Sequence, residues 1–145
     1  MQLLIKNARI RHKKEWMDIA VEGGKIMDIR PGIVSEAEEV IDAEGHLVTS
    51  SFIEPHIHLD KVNVLDELPD AKVVTLEDAI EVQAIAKKNY SEERILKRGG
   101  DVVRREIANG TLHIRSHIDL DDVAGIVTYD GVAALKEAYK DTVDI

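Results

Sequence analysis

Two histidines one residue apart, His56 and His58, stand in the segment Phe52-Ile-Glu-Pro-His-Ile-His-Leu-Asp60. On a β-strand, side chains two apart share a face, so Phe52, Glu54, His56 and His58 are expected to point together, with Ile53, Pro55, Ile57 and Leu59 on the other side. Two imidazoles on one face can reach a single ion, while the apolar face suits covering helices. A second segment, Leu112-His-Ile-Arg-Ser-His-Ile-Asp-Leu120, repeats the pattern with His113, Arg115, His117 and Asp119 on one face. In a simple buried sheet those charged groups would be costly unless paired. A closed barrel whose polar interior opens on a cavity removes the conflict.

Each feature also has a plainer reading. His-x-His alone is a weak signal, the alternation over 112–120 also describes an edge strand with a solvated face, and His12 and His113 read as ordinary histidines. Other chemistries can be weighed against the metal pair. A cupin would place a glutamate three or four residues beyond the second histidine, where this chain has Leu-Asp-Lys-Val-Asn. There is no Gly-x-Ser-x-Gly elbow for a serine hydrolase and no glycine-rich phosphate loop before a helix.

The composition narrows the partners. The 145 residues are 44% hydrophobic and 32% charged, which is globular, and no run is long and apolar enough to suggest a membrane span. A net charge of −9 opposes non-specific attraction to nucleic acid or anionic lipid. The 3% of aromatic residues is too little for base-stacking platforms, so a small neutral molecule suits the surface better. Without cysteine, disulfides, thiolate metal sites and the His/Cys/Cys zinc centre are excluded. Any metal must use imidazoles and carboxylates. The first sixteen residues show no secretory signal, which leaves the cytoplasm as the default location.

The elements that must position these groups can be traced along the chain. Asp18–Glu22 and Lys25–Ile29 flank Gly23-Gly24 as a hairpin. A further turn at Glu44-Gly45-His46 separates Val40-Ile41 from Leu47-Val48-Thr49, so residues 1–50 read as a small antiparallel sheet. From Phe52 the pattern alternates: strand 52–59, helices near 76–88 and 92–108, strand 111–119, a helix near 130–140, and the start of another strand at Thr142–Ile145. Alternation of this kind predicts βα units and a parallel sheet. Thr75-Leu-Glu-Asp78 reads as a capping box, and Asn109-Gly110 as a helix stop.

The run Phe52-Ile-Glu-Pro-His-Ile-His-Leu-Asp-Lys61 resembles the first barrel strand of the amidohydrolase superfamily, with Glu54-Pro55 similar to its cytosine deaminase branch. The resemblance extends, in the family's order, to Thr75-Leu-Glu-Asp-Ala-Ile80, Ile107-Ala-Asn-Gly110 and Arg115-Ser-His-Ile-Asp119. It implies an α/β fold: residues 1–50 as the N-terminal part of a small β-sandwich, and residues 51–145 as the first strands and helices of a distorted (β/α)8 TIM-like barrel. A full barrel takes about 250 residues, so the barrel is expected to be incomplete in this chain.

The same resemblance implies a metal-dependent hydrolytic deaminase of a nucleobase-like heterocycle, cytosine to uracil plus ammonia. It makes His56 and His58 ligands of one divalent ion, zinc or iron(II), and assigns Leu76, His117 and Asp119 to substrate binding. Val73-Val74 replaces the family's usual Ser-Gly before Thr75-Leu76. The proton-transfer residues are expected beyond Ile145, so this chain alone should be inactive. The alternatives are an amidohydrolase acting on another amino-substituted ring, such as a triazine, and a non-catalytic fragment that needs a partner chain. The expected partners are a heterocyclic small molecule and either a second copy or a complementing chain.

Overall fold

The computed structural model describes residues 1–68 and 70–145, which form two compact units, Met1–Ser50 and Ser51–Ile145. In the first, the glycine pair Gly23 and Gly24 adopts φ of 57° and 70°, the doubly positive backbone that a tight two-residue hairpin requires. It joins β2 (Met17–Glu22) to β3 (Lys25–Arg30). β1 (Leu3–Ala8) and β4 (Glu39–Asp42) complete a four-stranded sheet in the order β3-β2-β1-β4.

This sheet is mixed, which corrects the expectation of an antiparallel one: β4 runs parallel to β1, pairing Leu3 with Glu39 through Lys6 with Asp42. The reason is the connection after β3, which carries the chain past Ile33 to the far edge of the sheet and not back through a hairpin. Buried Asp18 fastens that connection. Its carboxylate accepts the Ile33 N–H at 2.8 Å and the Asn7 N–H at 2.9 Å, so both oxygens are satisfied despite burial. Leu4, Ala20 and Ile33 form the small core.

The second unit alternates strands and helices. β5 (Phe52–Ile57) and β6 (Thr111–Ser116) pair in parallel, and between them lie a short 3-10 turn (Val64–Glu67), α1 (Leu76–Lys87) and α2 (Glu92–Ala108). α3 (Val127–Tyr139) follows. Asp144 then makes a parallel bridge to His113, beginning a third strand on the outer side of β6. Both ordered strands end earlier than the sequence pattern suggests. In β5 the register slips between Glu54 and Ile57, where Pro55 has no N–H to give to the ladder.

Helix ends follow their capping chemistry. Thr75 and Asp78 exchange bonds as a capping box, Thr75 Oγ1 accepting the Asp78 N–H and Asp78 Oδ2 accepting the Thr75 N–H. Ser91 caps α2 by accepting the Arg94 N–H, and Gly110 takes the positive φ just past its end. α2 buries Ile95, Val102 and Val103 on one face, the i, i+7, i+8 spacing of a core-facing helix. Leu59, Ile114, Val132, Leu135 and Val143 meet them in one core. α2 and α3 approach so closely that a Cβ on Gly131 would lie 2.7 Å from Ile95 Cβ. Among the described residues no helix is long and apolar enough to cross a membrane.

Candidate metal centre

The parallel pairing brings β5 and β6 to an end side by side, and the chemistry collects just beyond those ends. His58 follows the last residue of β5 and His117 the last residue of β6. The His117 N–H donates to the Ile57 carbonyl at 2.7 Å, so one bond of the ladder fixes both histidine-bearing turns. The next residue, Leu59, is fully buried in the core, and its N–H donates to Ser116 Oγ at 3.2 Å. The turn is therefore anchored from inside, which leaves His58 and Asp60 on either side of a fixed point.

Three imidazoles gather there. The ring centres are 5.6 Å apart for His56 and His58, 4.1 Å for His56 and His117, and 5.7 Å for His58 and His117. Rings sharing one ion at a metal–nitrogen distance of about 2.0–2.1 Å must have centres within about 6.5 Å of each other, and all three pairs meet that condition. His58 Nδ1 also faces two carboxylates, Asp60 Oδ1 at 3.7 Å and Asp119 Oδ1 at 3.6 Å. Donor atoms of His58, Asp60 and Asp119 all lie within 4.8 Å of one another.

The local charges differ sharply. Asp60 is fully buried; Oδ2 accepts the Asp119 N–H at 3.1 Å, while Oδ1 has no partner among the described residues. Burial pushes its carboxyl group above the usual range, against the pull of the Asp119 N–H. Asp119 is held below that range, first by its hydrogen bond from Lys61 and also by the charges of Lys61, His58 and Lys87. Desolvation, then the neighbouring His56, His58 and Arg115, holds His117 below the ordinary histidine value. His58 Nδ1 is buried and, like Asp60 Oδ1, unpartnered. Two orphaned buried polar atoms 3.7 Å apart are too distant for a good hydrogen bond and suit a site whose order is completed by a bound cation. Imidazole and carboxylate donors without thiolate fit zinc or iron(II).

The residues singled out by sequence divide between two places. His56, His58 and His117 lie together, and Asp119 faces His58. Leu76, largely exposed at the start of α1, lines a cleft of about 410 Å³ with Lys61, Ile80, Gln83, Lys87 and Asp119. Asp119 thus belongs to both the cleft and the histidine cluster, whereas His117 belongs to the cluster. Asp60 was missed by sequence reasoning: its place two residues after His58 is visible in the sequence, but the burial that gives it a role is not. Lys87 came only from the fold, since it sits on α1 and bonds Asp121 in the segment that follows β6.

No protein-family model matches the chain. It is 33% identical to N-isopropylammelide isopropyl amidohydrolase of Pseudomonas sp. strain ADP, over 99% of this chain and 36% of that protein. It is 30% identical to a pterin deaminase of Rhizobium rhizogenes, over 87% of this chain and 29% of that protein. The crystal structure of 5-methylcytosine deaminase from Klebsiella pneumoniae liganded with 5-fluorocytosine superposes with a TM-score of 0.83 at 26% identity, covering 97% of this chain and 34% of that one. The chain thus spans about a third of the length of the relatives it matches.

Proposed function

We propose that this chain, which belongs with the amidohydrolase-family deaminases in sequence and fold, supplies the first metal-ligating strand and part of the substrate cleft of a hydrolytic deaminase acting on a nitrogen heterocycle. One observation carries the reading: His56, His58 and His117 converge at the ends of two adjacent parallel strands, with two carboxylates set against His58 Nδ1. In such an enzyme water adds at the amino-bearing ring carbon and ammonia leaves, giving the oxo heterocycle.

Here His56 and His58 would hold one divalent ion, zinc or iron(II). Asp60 and Asp119 stand 3.7 and 3.6 Å from His58 Nδ1, in the place of the outer carboxylates that orient a ligating histidine. When bound, the ion supplies Lewis acidity and brings the pKa of water near neutrality. Asp119, kept ionised by Lys61 and Lys87, carries negative charge to the boundary between the histidines and the cleft. Leu76 and Ile80 give that cleft an apolar wall against which a flat ring can lie. The remaining ligands and the proton-transfer groups come from chain outside these residues, or from a complementing chain. The N-terminal sheet is read as part of a β-sandwich, and residues from Ser51 onward as the opening of a (β/α)8 barrel.

For the substrate, cytosine is the reading taken from the sequence resemblance, and an amino-substituted triazine is the second, favoured by the relative at 33% identity. Ammonia or alkylamine release from cytosine and from N-isopropylammelide, assayed with zinc and with iron(II) on the protein together with any chain that completes it, separates the two. Turnover of neither ring, by a complex that binds metal, contradicts the deaminase reading.

A further inference from the structure

The most deeply buried cation of the second unit is on a helix, outside the histidine cluster. The Arg98 side chain is 5% exposed, and its partners are the Asp60 backbone, Glu67 and the Tyr90 ring. Nη2 donates to the Asp60 carbonyl at 2.9 Å, Nη1 donates to Glu67 Oε1 at 3.0 Å, and the guanidinium lies 4.7 Å from the centre of the Tyr90 ring. Nε has no partner among the described residues. Burying a guanidinium is expensive unless its bonds are made, so its position calls for a reason. Simple charge neutralisation is a poor one: Glu67 also takes a bond from exposed Arg94, and a surface pair would have served.

The next residue points to the reason. A Cβ on Gly99 would come within 3.3 Å of the Leu59 carbonyl oxygen, so α2 lies directly behind the turn His58-Leu59-Asp60. Arg98 holds that turn by the Asp60 carbonyl, while the Asp60 carboxylate on the other side meets the Asp119 N–H and faces His58 Nδ1. A planar guanidinium that joins the Asp60 carbonyl to Glu67 restrains rotation of the Asp60 backbone, and with it the distance from Asp60 to His58. A lysine has one charged nitrogen and no rigid fork, so it cannot hold both partners in that fixed plane.

We infer that Arg98 is a positioning residue for the metal centre: from α2 it fixes the Asp60 turn that sets the orientation of the His58 imidazole. This rests on the reading of His58 as a metal ligand. Groups that orient a ligating histidine from outside the coordination sphere change metal affinity by about 10–100-fold when removed, and a loss in that range is expected for R98K.

The test measures Zn2+ affinity by chelator competition, together with the visible spectrum of bound Co2+, in the wild-type protein and in H58N, R98K and R94Q, with folding checked by circular dichroism. The inference expects R98K to lose affinity by about 10–100-fold and to shift the Co2+ bands, with R94Q matching wild type. A folded R98K with wild-type affinity and an unchanged Co2+ spectrum overturns it. Should R98K fail to fold, E67A, which removes the acceptor of Nη1, decides in the same way: weaker binding with altered bands supports the inference, and wild-type behaviour overturns it. Failure of the underlying site looks different, because H58N would then bind Zn2+ as wild type does, or wild type would not bind at all, and either result sinks both readings.

Discussion

Replacing Asp60 with asparagine should strengthen the metal-free fold and weaken the metal site at once. Asp60 is 0% exposed, and one of its two oxygens has no hydrogen-bond partner among the described residues. An unsatisfied buried polar group costs about 1–3 kcal/mol, and more when charged. Asparagine keeps an oxygen for the Asp119 N–H, removes the charge, and presents an amide that can donate toward His58 Nδ1. A net gain of about 1–2 kcal/mol at pH 7 is expected from relieving that cost, which corresponds to a rise of roughly 2–8 °C in Tm for a chain of this size.

The gain should also depend on pH. Since the Asp60 carboxyl is held above its ordinary value, the folded state binds that proton more tightly than the unfolded chain does. Its contribution therefore favours folding fully below about pH 4, the unfolded value, and is lost as pH rises through the folded one. The advantage of D60N should accordingly be present at pH 7 and vanish toward pH 4. Zinc affinity should fall by about 10–100-fold, as for other groups that orient a ligating histidine. Urea unfolding in chelator at both pH values, with zinc titration at pH 7, reads all three effects. Metal-free D60N that is less stable than wild type at pH 7, or that binds zinc equally well, refutes the reasoning.

Packing and alkaline titration offer two further tests. G131A should lose about 2 kcal/mol in urea unfolding, because overpacking at the upper end of its range costs about 3 kcal/mol and outweighs a helix-propensity gain of about 1 kcal/mol; the methyl would sit 2.7 Å from Ile95 Cβ and Cγ2, where neither helix can yield cheaply. Wild-type stability in G131A would mean that α2 and α3 are less tightly apposed than described. Burial pushes the Tyr90 hydroxyl up to about 12, so its contribution is intact below about pH 10 and is lost as pH rises through about 12. Y90F should be about 1 kcal/mol less stable at pH 7 for want of the bond to Gln83, yet fall less steeply between pH 10 and 12; parallel alkaline profiles would be the contrary result.

What the sequence made legible was chiefly what local chemistry decides. α2 has an acidic first turn, a serine cap and Asn109-Gly110 at its end, and its span over 92–108 can be read from those residues alone. The Gly23-Gly24 hairpin and the Thr75–Asp78 capping box are of the same kind. The parallel pairing of β1 with β4 was not legible, because either backbone edge of β1 can accept a neighbour and only the route of residues 31–38 decides which edge, and which direction, β4 takes. The slip of register in β5 between Glu54 and Ile57 was not legible either, although Pro55 has no N–H to give to the ladder. α3 starts at Val127, earlier than 130, because the acidic run before it is held in a turn by Asp121 Oδ1, which accepts the Val123 and Ala124 N–H groups.

At the candidate site the histidines stood out by spacing, whereas Asp60 and Arg98 did not. Their roles depend on burial and on a helix more than thirty residues away in sequence, neither of which a local pattern encodes. Asp119 stood out only through its alternation with His117, and its pairing with Lys61 and Lys87 emerges from the fold.

The central claim is that His56 and His58, with His117 beside them, form a divalent-metal site. X-ray absorption at the zinc edge on the zinc-loaded protein tests it most directly. The account predicts nitrogen scatterers at about 2.0–2.1 Å with the outer-shell pattern of at least two imidazoles, reduced in H58N; a shell of oxygens alone, or a spectrum that H58N leaves unchanged, would contradict it.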